Sequence, residues 1–313
     1  MFEEKNERHR IKSIMNMDEL RKYMLNLRVS SVERLHERYV LVKLTQQEPL
    51  PPMLPGQFVE VRIDGPQGPL LRRPISVNFV DRERNELWLL VAVVGNGTRW
   101  LAALTAGDVV NVVGPLGHGF TPAGETAGTA AGETAGTAAG ETAGTTAGET
   151  AGTAAGETAG TAGGRWLLVG GGVGVAPLLF QGAALRARGC EPVFLLGART
   201  QKDLLMVDAF RRYGEVFVTT EDGSEGERGF VTQHSLLGRE RFGMIQTCGP
   251  TPMMKAVARY AYSQGIECEV SLENMMACGL GACLCCVEKT TEGNLCVCKE
   301  GPVFNIKKLL WQF

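Results

Sequence analysis

Six of the nine cysteines of this 313-residue chain lie between Cys278 and Cys298. Three of them, at positions 278, 283 and 286, follow the C-x4-C-x2-C spacing with which plant-type ferredoxins hold a two-iron, two-sulfur cluster, and a later cysteine is the fourth ligand. Small residues separate the first two ligands, so backbone amides can approach and hydrogen-bond the cluster sulfurs. The spacing therefore predicts an iron–sulfur loop.

A tetrahedral zinc site is the alternative for such a group of cysteines. Structural zinc sites commonly contain two short pairs such as C-x2-C. Cys283 and Cys286 supply one pair, whereas Cys296 and Cys298 are too close together to supply the other. The iron–sulfur interpretation is preferred, although spacing alone leaves either Cys296 or Cys298 as the fourth ligand.

A glycine-rich turn follows the apolar run RWLLVGG and opens an apolar segment with an early proline. Its glycines would bring backbone amides and a helix N-terminus against a pyrophosphate. The pattern is G-x-G-x-x-P, at Gly172, Gly174 and Pro177, and not the G-x-G-x-x-G of dehydrogenases. A tight strand-to-helix connection without a ligand is the alternative.

Two further segments carry groups that could face a cofactor. The run LRRPISV, residues 71–77, contains arginines that can pair with phosphate and a serine that can hydrogen-bond a flavin ring atom. The segment GNGT, residues 95–98, predicts an N-G turn in a hairpin or, alternatively, a phosphate-facing nest. Taken alone, neither segment distinguishes a binding site from an ordinary surface strand.

These motifs lie in stretches of different predicted structure. From residue 27 to 120, short β-type runs alternate with Gly, Pro and Asn, which favours an antiparallel barrel or sandwich. From Arg165 onward, strands and helices alternate, which predicts a parallel sheet covered by helices. Between them, residues 123–162 form five octads of the type AGETAGTA, which lack large apolar side chains. We predict a disordered insert there, because such repeats cannot stack into a solenoid core.

The overall composition narrows the classes of function. A formal net charge of -2 argues against a general nucleic-acid binder, and no stretch approaches the length of a membrane span. The N-terminus lacks the apolar run of a signal peptide, so we expect a cytoplasmic protein without a membrane. In that compartment, clustered cysteines are expected to bind metal.

Taken in order, LLRRPISV, VVGNGT, GPLGHGF, GGGVGVAPLL, TEDGS, TCGPTPMM and MACGLGACLCCV…VCKEGPVF resemble one family. It is the electron-transfer subunit of the NAD-linked, two-protein dihydroorotate dehydrogenase, within the ferredoxin-reductase-like group. The resemblance covers the chain except for its first residues and the repeat. It implies a multi-domain α/β plus all-β protein with an antiparallel FAD-binding β-barrel, a parallel-sheet nucleotide-binding domain and a small C-terminal iron–sulfur domain.

Carried over residue by residue, the resemblance implies three sets of contacts. FAD would be held by Arg73, Pro74, Ile75, Ser76, Leu90, Val91, Ala92, Gly97 and Thr98. NAD would be held by Gly170, Gly171, Gly172, Val173 and Gly174, with Cys248, Gly249 and Pro250 edging the flavin. The cluster ligands would be Cys278, Cys283, Cys286 and Cys298, because Cys298 stands just before the G-P-V-F run. No catalytic acid or base is assigned, since the chemistry belongs to the cofactors.

The expected division of the chain combines the pattern with the resemblance. It is an N-terminal extension at 1–26, an FAD-binding barrel at 27–121, the repeat insert at 122–163, an NAD-binding domain at 164–268 and a [2Fe–2S] domain at 269–313.

The resemblance also implies the function and the partner. An FMN-containing catalytic subunit would oxidise dihydroorotate, and electrons would pass through the cluster and FAD to NAD+ in pyrimidine (UMP) biosynthesis. The expected assembly is a heterotetramer of two plus two subunits. The alternatives are a reductase subunit of a related ferredoxin–NADP, sulfide or hydrogenase complex, a non-redox zinc-stapled nucleotide-binding module, and a tether in which the repeat binds a partner.

Overall fold

A closed six-stranded antiparallel barrel forms the first part of the fold. The computed structural model describes residues 21–64, 70–124 and 164–313, and the predicted insert lies largely outside them. In barrel order the strands are β1-β2-β5-β4-β3-β6, with β6 pairing back onto β1. Their bounds are β1 (Tyr23–His36), β2 (Tyr39–Thr45), β3 (Phe58–Val61), β4 (Arg73–Asp81), β5 (Glu86–Ala92) and β6 (Val109–Leu116). The predicted antiparallel barrel is confirmed.

Side chains alternate between the two faces of a barrel strand, and in β2 both faces are buried, each against a different partner. In β2, Val40, Val42 and Leu44 lie in the barrel interior, because side chains two residues apart share one face of a strand. Leu41, between them, is also buried, but it packs with the nucleotide-binding domain instead. The outer surface of the barrel is therefore partly covered by the second domain.

A seven-stranded sheet forms the second part, in the order β10-β9-β8-β7-β11-β12-β15. Its parallel strands are β7 (Arg165–Gly171), β8 (Glu191–Ala198), β9 (Glu215–Thr220), β10 (Glu227–Arg228), β11 (Met244–Cys248) and β12 (Glu267–Ser271). The last strand, β15 (Val303–Asn305), runs antiparallel to β12. The C-terminal segment thus adds an edge strand to the predicted parallel sheet, an addition that the pattern of β/α alternation did not predict.

Helices connect these strands. In chain order they are α1 (Asn96–Ala102), α2 (Ala176–Ala187), α3 (Val207–Arg211), α4 (Leu236–Arg239) and α5 (Thr251–Ser263). Short 3-10 helices lie at Gly172–Val175, Gln201–Asp203, Val231–Gln233 and Ile306–Lys308. None of the helices in the described parts of the chain is both long and apolar enough to cross a membrane.

The structure corrects the preferred interpretation of GNGT as a hairpin turn. Asn96 begins α1, and the Thr98 hydroxyl accepts hydrogen bonds from the backbone amides of Val94 and Gly95 at 2.9 and 3.0 Å. Thr98 is the third residue of the helix, and a hydroxyl at that position can accept the free backbone amides at the helix N-terminus. The N-G dipeptide was therefore a poor guide here, because Thr98 supplies the turn's hydrogen bonds.

A buried polar network joins the end of the barrel segment to the sheet. The backbone amide and hydroxyl of Thr121 both donate to the carboxylate of Glu269. Gln246 Nε2 donates to the same carboxylate at 2.9 Å, and Gln181 Nε2 donates to Gln246 Oε1 at 2.8 Å. Burial raises the pKa of Glu269, while these hydrogen bonds oppose the shift. The chain is thus anchored immediately before the predicted repeat.

The C-terminal domain is mostly irregular and lies against the barrel. It contains one hairpin, β13 (Val287–Thr290) with β14 (Gly293–Cys296). Phe58 and Leu116 of the barrel share a hydrophobic core with Cys286 and Cys298 of this domain. The predicted cysteine loop therefore packs directly on the barrel.

Candidate functional site

The first half of β4 presents the predicted flavin-binding residues. Arg73, Pro74, Ile75 and Ser76 are all half-buried, whereas the next residue, Val77, is fully buried in the barrel core. Arg72 is held by the protein itself, since it donates to the side-chain oxygen of Asn111 at 2.5 Å and to two backbone carbonyls. Arg73 Nη1 donates to the backbone carbonyls of Leu71 and Arg72 at 3.0 and 3.2 Å, which keeps its guanidinium at the start of β4.

Arg73 lies against the start of α1. A Cβ added to Gly97 would stand 2.9 Å from Arg73 Nε, so glycine is what allows the arginine to pass so close to the helix backbone. Two segments predicted separately, R-x-x-S and GNGT, are thus brought together. Their backbone amides and guanidinium form a surface suited to a pyrophosphate.

The β5 residues proposed for FAD point their side chains into the protein. Leu90 is buried against Val175 and Leu178 of the nucleotide domain, and Val91 lies in the barrel core. Ala92 is half-buried at the end of the strand. Any contact from Leu90 or Val91 to a cofactor would therefore come from the backbone.

The glycine turn lies where β7 meets α2, and it is tightly packed against the end of β11. A Cβ on Gly174 would lie 2.6 Å from the carbonyl oxygen of Cys248 and even closer to Gly249. A Cβ on Gly171 would lie 2.6 Å from Met253 Sδ. The carboxyl ends of adjacent parallel strands are where open α/β sheets bind nucleotides. The predicted residues 170–174 and 248–250 lie at the carboxyl ends of two such neighbouring strands, β7 and β11.

Cys248 is fully buried at this edge. Burial and the nearby negative charge of Glu273 raise the pKa of its thiol well above the ordinary value. Burial also raises the pKa of Glu273. The buried Cys248 thiol therefore stays protonated at neutral pH. Glu273 was not among the predicted site residues, and its position just before the cysteine motif was the available sequence signal.

The cysteine loop folds with an unusual number of left-handed residues. Gly279 and Gly281 have φ of 66° and 80°, and Leu284, which is not a glycine, has φ of 57°. A Cβ on Gly279 would lie 2.8 Å from Glu60 Cγ and 3.0 Å from Leu116 Cδ1. The left-handed turn at Gly279 is therefore built against the barrel surface.

Backbone amides in this loop point at sulfur. Leu280 N lies 3.3 Å from Cys278 Sγ, Gly281 N lies 3.1 Å from Cys298 Sγ, and Cys298 N lies 3.3 Å from Cys286 Sγ. Burial opposes ionisation of Cys278, but hydrogen bonds from backbone amides and from the Cys283 thiol outweigh it and lower the pKa to about 6. Such N–H···S bonds stabilise thiolate ligands.

Hydrogen bonds tie the last predicted ligand, Cys298, to this loop, since its sulfur accepts from Gly281 N and its own amide donates to Cys286 Sγ. Burial and the neighbouring Cys286 raise the pKa of Cys298 to about 12. Two ligands per iron is the requirement of a two-iron cluster. Across residues 21–64, 70–124 and 164–313, no three His, Cys, Asp or Glu side chains surround a single metal position. The four cysteines of the loop nevertheless match the number and type of ligands that a [2Fe–2S] cluster requires.

The two remaining cysteines of the segment are placed differently. Cys285 is exposed, and Cys296 is buried with its thiol 3.7 Å from the carbonyl oxygen of Gly281. Burial raises the pKa of Cys296. Cys298 receives an amide hydrogen bond at its sulfur, whereas the Cys296 thiol donates to a carbonyl oxygen.

Glu60 is a second residue that sequence analysis missed. It lies on β3 with 1% of its surface exposed, and its carboxylate oxygens have no hydrogen-bond partner within the described chain. Burial raises its pKa to about 7, and the charges of Arg72 and Arg73 oppose that shift. An acidic residue within an apolar strand was the only sequence signal. Glu60 lies between β4, which carries the predicted flavin-binding residues, and the cysteine loop.

Comparisons with known proteins agree with this geometry. Residues 273–310 match the iron–sulfur cluster binding domain of dihydroorotate dehydrogenase B, and residues 168–259 match the oxidoreductase NAD-binding domain. The solved structure of an NADH-dependent reduced ferredoxin–NADP oxidoreductase is similar over 92% of this chain and 90% of its own, with a TM-score of 0.72 and 28% identity. The cytochrome b5 reductase domain of Ulva prolifera nitrate reductase shares the fold, with a TM-score of 0.55 at 17% identity, over 78% of this chain and 94% of its own.

Fold and site together define a flavoprotein oxidoreductase of the ferredoxin-reductase type that carries an additional iron–sulfur domain. Two relatives are electron transfer subunits of dihydroorotate dehydrogenase B (NAD(+)). The one from Lysinibacillus sphaericus is 36% identical over 80% of this chain and 85% of its own length. The one from Fusobacterium nucleatum is 34% identical over 80% and 84%. The chain belongs to this family of electron transfer subunits, so the predicted resemblance is confirmed.

Proposed function

We propose that this subunit passes electrons from the catalytic subunit of a dihydroorotate dehydrogenase to NAD+, using a [2Fe–2S] cluster and FAD held by the residues described above. The observation that carries the proposal is the packing of the cysteine loop on the flavin barrel, at Gly279 against Glu60 and Leu116. Electron transfer requires the cluster and the flavin to be close together, and this contact would hold their binding segments side by side. The barrel would correspond to residues 27–121, the NAD domain to 164–268 and the cluster domain to 269–313.

The chain's own residues position and insulate the redox groups. Arg73, beside Gly97 and Thr98, would hold the FAD pyrophosphate, and Ser76 would hydrogen-bond the flavin ring from the same strand. When bound, FAD exchanges two electrons with the nucleotide and the cluster exchanges one at a time. Buried Cys248, with Gly249 and Pro250, would exclude water where the nicotinamide docks.

The glycine turn would bind the nucleotide, with Gly170, Gly171, Gly172, Val173 and Gly174 supplying backbone amides. Gly174 allows β7 to approach β11 closely, so the dinucleotide and Cys248 would share one crevice. The nucleotide is NAD by analogy with the relatives.

The cluster would be held by Cys278, Cys283, Cys286 and Cys298. Amides from Leu280, Gly281 and Cys298 would remain on the sulfurs after metal binding and stabilise their negative charge. Cys285 and Cys296 would stay free thiols. We expect the protein to work in the cytoplasm, where such thiols remain reduced.

The surface beside the cysteine loop suits a partner protein. Met275, Leu280 and Leu284 expose 83%, 50% and 66% of their surfaces there. Clustered exposed apolar side chains of this kind are typical of protein interfaces. We assign this face to the FMN-containing catalytic subunit, in an assembly of two plus two subunits that would serve pyrimidine (UMP) biosynthesis.

The test is an anaerobic visible spectrum of the chain purified with and without the dihydroorotate dehydrogenase catalytic subunit. Flavin and iron–sulfur bands should bleach with NADH in either sample. Dihydroorotate should bleach them only when the catalytic subunit is present. A Leu284→Glu variant should keep the NADH response and lose the dihydroorotate response, because a charge on the proposed face would block docking.

The structural neighbour that is a ferredoxin–NADP oxidoreductase supports a second candidate, with reduced ferredoxin in place of the catalytic subunit. In that case NADH would still bleach the bands, but dihydroorotate would not under any condition. Reduced ferredoxin would then transfer electrons to the chain. Absence of visible bands from a protein that contains stoichiometric zinc would overturn both candidates.

A further inference from the structure

The flavin strand β4 contacts the nucleotide helix α2 through an irregularity in its pairing. The register runs Val77↔Leu89 and then Phe79↔Trp88, so Asn78 is an extra residue between two consecutive partners of β5. A β-bulge of this kind redirects side chains and is frequent beside active sites. In a regular strand, consecutive side chains point to opposite faces.

At this bulge, two consecutive side chains reach the same helix. Asn78 Nδ2 donates to the carbonyl oxygen of Ala176 at 2.9 Å. The ring of Phe79 lies 5.7 Å from that of Phe180, one turn further along α2, in an edge-to-face arrangement. Two consecutive side chains of β4 therefore contact the first turns of α2, the helix that follows the glycine turn.

Burying Asn78 lowers the stability of the fold, so a role in positioning α2 would account for the presence of an asparagine here. It is completely buried, and its Oδ1 has no hydrogen-bond partner within the described residues. The Ala176 carbonyl opens a helix and can accept an intrahelical bond without Asn78. An apolar side chain of similar shape would thus leave no buried donor or acceptor unsatisfied and would be tolerated well.

We propose that Asn78 is a positioning residue that fixes the nucleotide turn relative to the flavin strand, through its hydrogen bond to Ala176. Ser76 lies two residues before it on β4, and Gly174 lies two residues before Ala176. The bond thus links the strand that carries one predicted cofactor segment to the helix that directly follows the other. It acts only at the contact between nicotinamide and flavin and leaves the cluster side unaffected. This inference rests on the proposed function.

The experiment compares Asn78→Leu with Arg38→Ala in the holoprotein. Arg38 is the matched control, because it also joins barrel to nucleotide domain, through a 3.1 Å ion pair with Asp203, but it is half-exposed. Exposed pairs contribute little to stability. Asn78→Leu should slow FAD reduction by NADH about tenfold or more, since small misplacements of reacting groups cost that much. Arg38→Ala should leave the rate unchanged.

Two readouts separate positioning from simple loosening of the fold. Hydrogen exchange in the first two turns of α2 should accelerate in Asn78→Leu and not in Arg38→Ala, with or without NAD. Cluster and FAD contents, and reduction by dithionite, should match the wild type in both variants. Asn78→Met, which fills the site without a hydrogen-bond donor and without a charge, should reproduce the slower reduction.

The inference is overturned if Asn78→Leu keeps the wild-type rate of FAD reduction by NADH and the wild-type hydrogen exchange in α2. It is also overturned if Asn78→Leu and Arg38→Ala lose the same fraction of that rate. Failure of the wild-type protein itself to be reduced by NADH would instead overturn the proposed function. The two failures are therefore distinguishable in one set of samples.

Discussion

In the cysteine loop, Gly279 and Gly281 adopt positive φ and turn backbone amides toward sulfur. At the nucleotide turn, Gly171 and Gly174 have ordinary φ, and the space left by the missing side chain is filled by the end of β11 and by α5. Gly172 in the turn also has a positive φ, of 55°, but at Gly171 and Gly174 the turn depends on close packing, whereas both glycines of the loop depend on their backbone conformation. Substitutions in the loop should therefore affect metal retention, and substitutions in the turn should affect the whole sheet.

The largest effect is expected from Cys298→Ser. It removes one ligand of the proposed cluster, and we expect nearly complete loss of the iron–sulfur absorbance and electron paramagnetic signal, with FAD retained. Cys296→Ser is the control, because that thiol donates to the Gly281 carbonyl. Retention of the cluster in Cys298→Ser together with its loss in Cys296→Ser would reverse the ligand assignment.

A smaller but global effect is expected from Gly174→Ala. The added methyl group would overlap Gly249 and the carbonyl of Cys248, so we expect about 3 kcal/mol of destabilisation and weaker NAD binding. Urea unfolding and a nucleotide titration measure the two quantities. Gly238→Ala is the control, since a Cβ there meets nothing within 4 Å in a helical segment, and it should be neutral or slightly stabilising.

Gly279→Ala tests the loop side of the comparison. Its φ of 66° and the 2.8 Å approach to Glu60 Cγ predict a cost of about 2 kcal/mol that is confined to the loop. Iron content should fall while the thermal midpoint of the nucleotide domain stays constant. Gly293→Ala has φ of 104° but open surroundings, so it isolates backbone strain from crowding. Equal iron loss in the two variants would show that contact with the barrel is irrelevant.

The last prediction concerns pH, and its effect is confined to part of the pH range. The pKa of Glu60 is about 7 in the folded protein against an ordinary 4.5. Between these values the unfolded chain has released the proton and the folded chain retains it, so stability falls as pH rises through this window. Glu60→Gln should remove that slope and be about 2 kcal/mol more stable than wild type at pH 8.

The urea midpoint measured from pH 4 to pH 8 checks this prediction. Glu267 is the opposite case, because its hydrogen bonds to Lys307 and Asn305 outweigh burial and lower its pKa. Its contribution is present at neutral pH and is lost as pH falls, so Glu267→Gln should reduce the acid-side slope. Parallel pH profiles for wild type and Glu60→Gln would contradict the assignment.

The sequence predicted the parts of the molecule that depend on local patterns and missed those that depend on contacts between distant residues. The cysteine spacing and the glycine turn are local patterns, and they led to the correct family and fold class. The edge strand β15, the role of Asn78 and the burial of Glu60 depend on partners distant in sequence. Asn78 resembles any polar strand residue until the bulge and Ala176 are seen, and GNGT was misjudged because its N-G dipeptide also suits hairpins.

The Thr121–Glu269 anchor described above has a practical consequence for chain architecture. Thr121 is tied to β12, and Arg165 begins β7, so the segment between them joins the folded parts at two fixed points. Lengthening or shortening a connection between fixed points changes mainly its closure entropy, by about 0.6 kcal/mol per doubling. This position is accordingly a site where a reporter domain or an affinity tag could be inserted without altering the distance between the flavin and nucleotide sites.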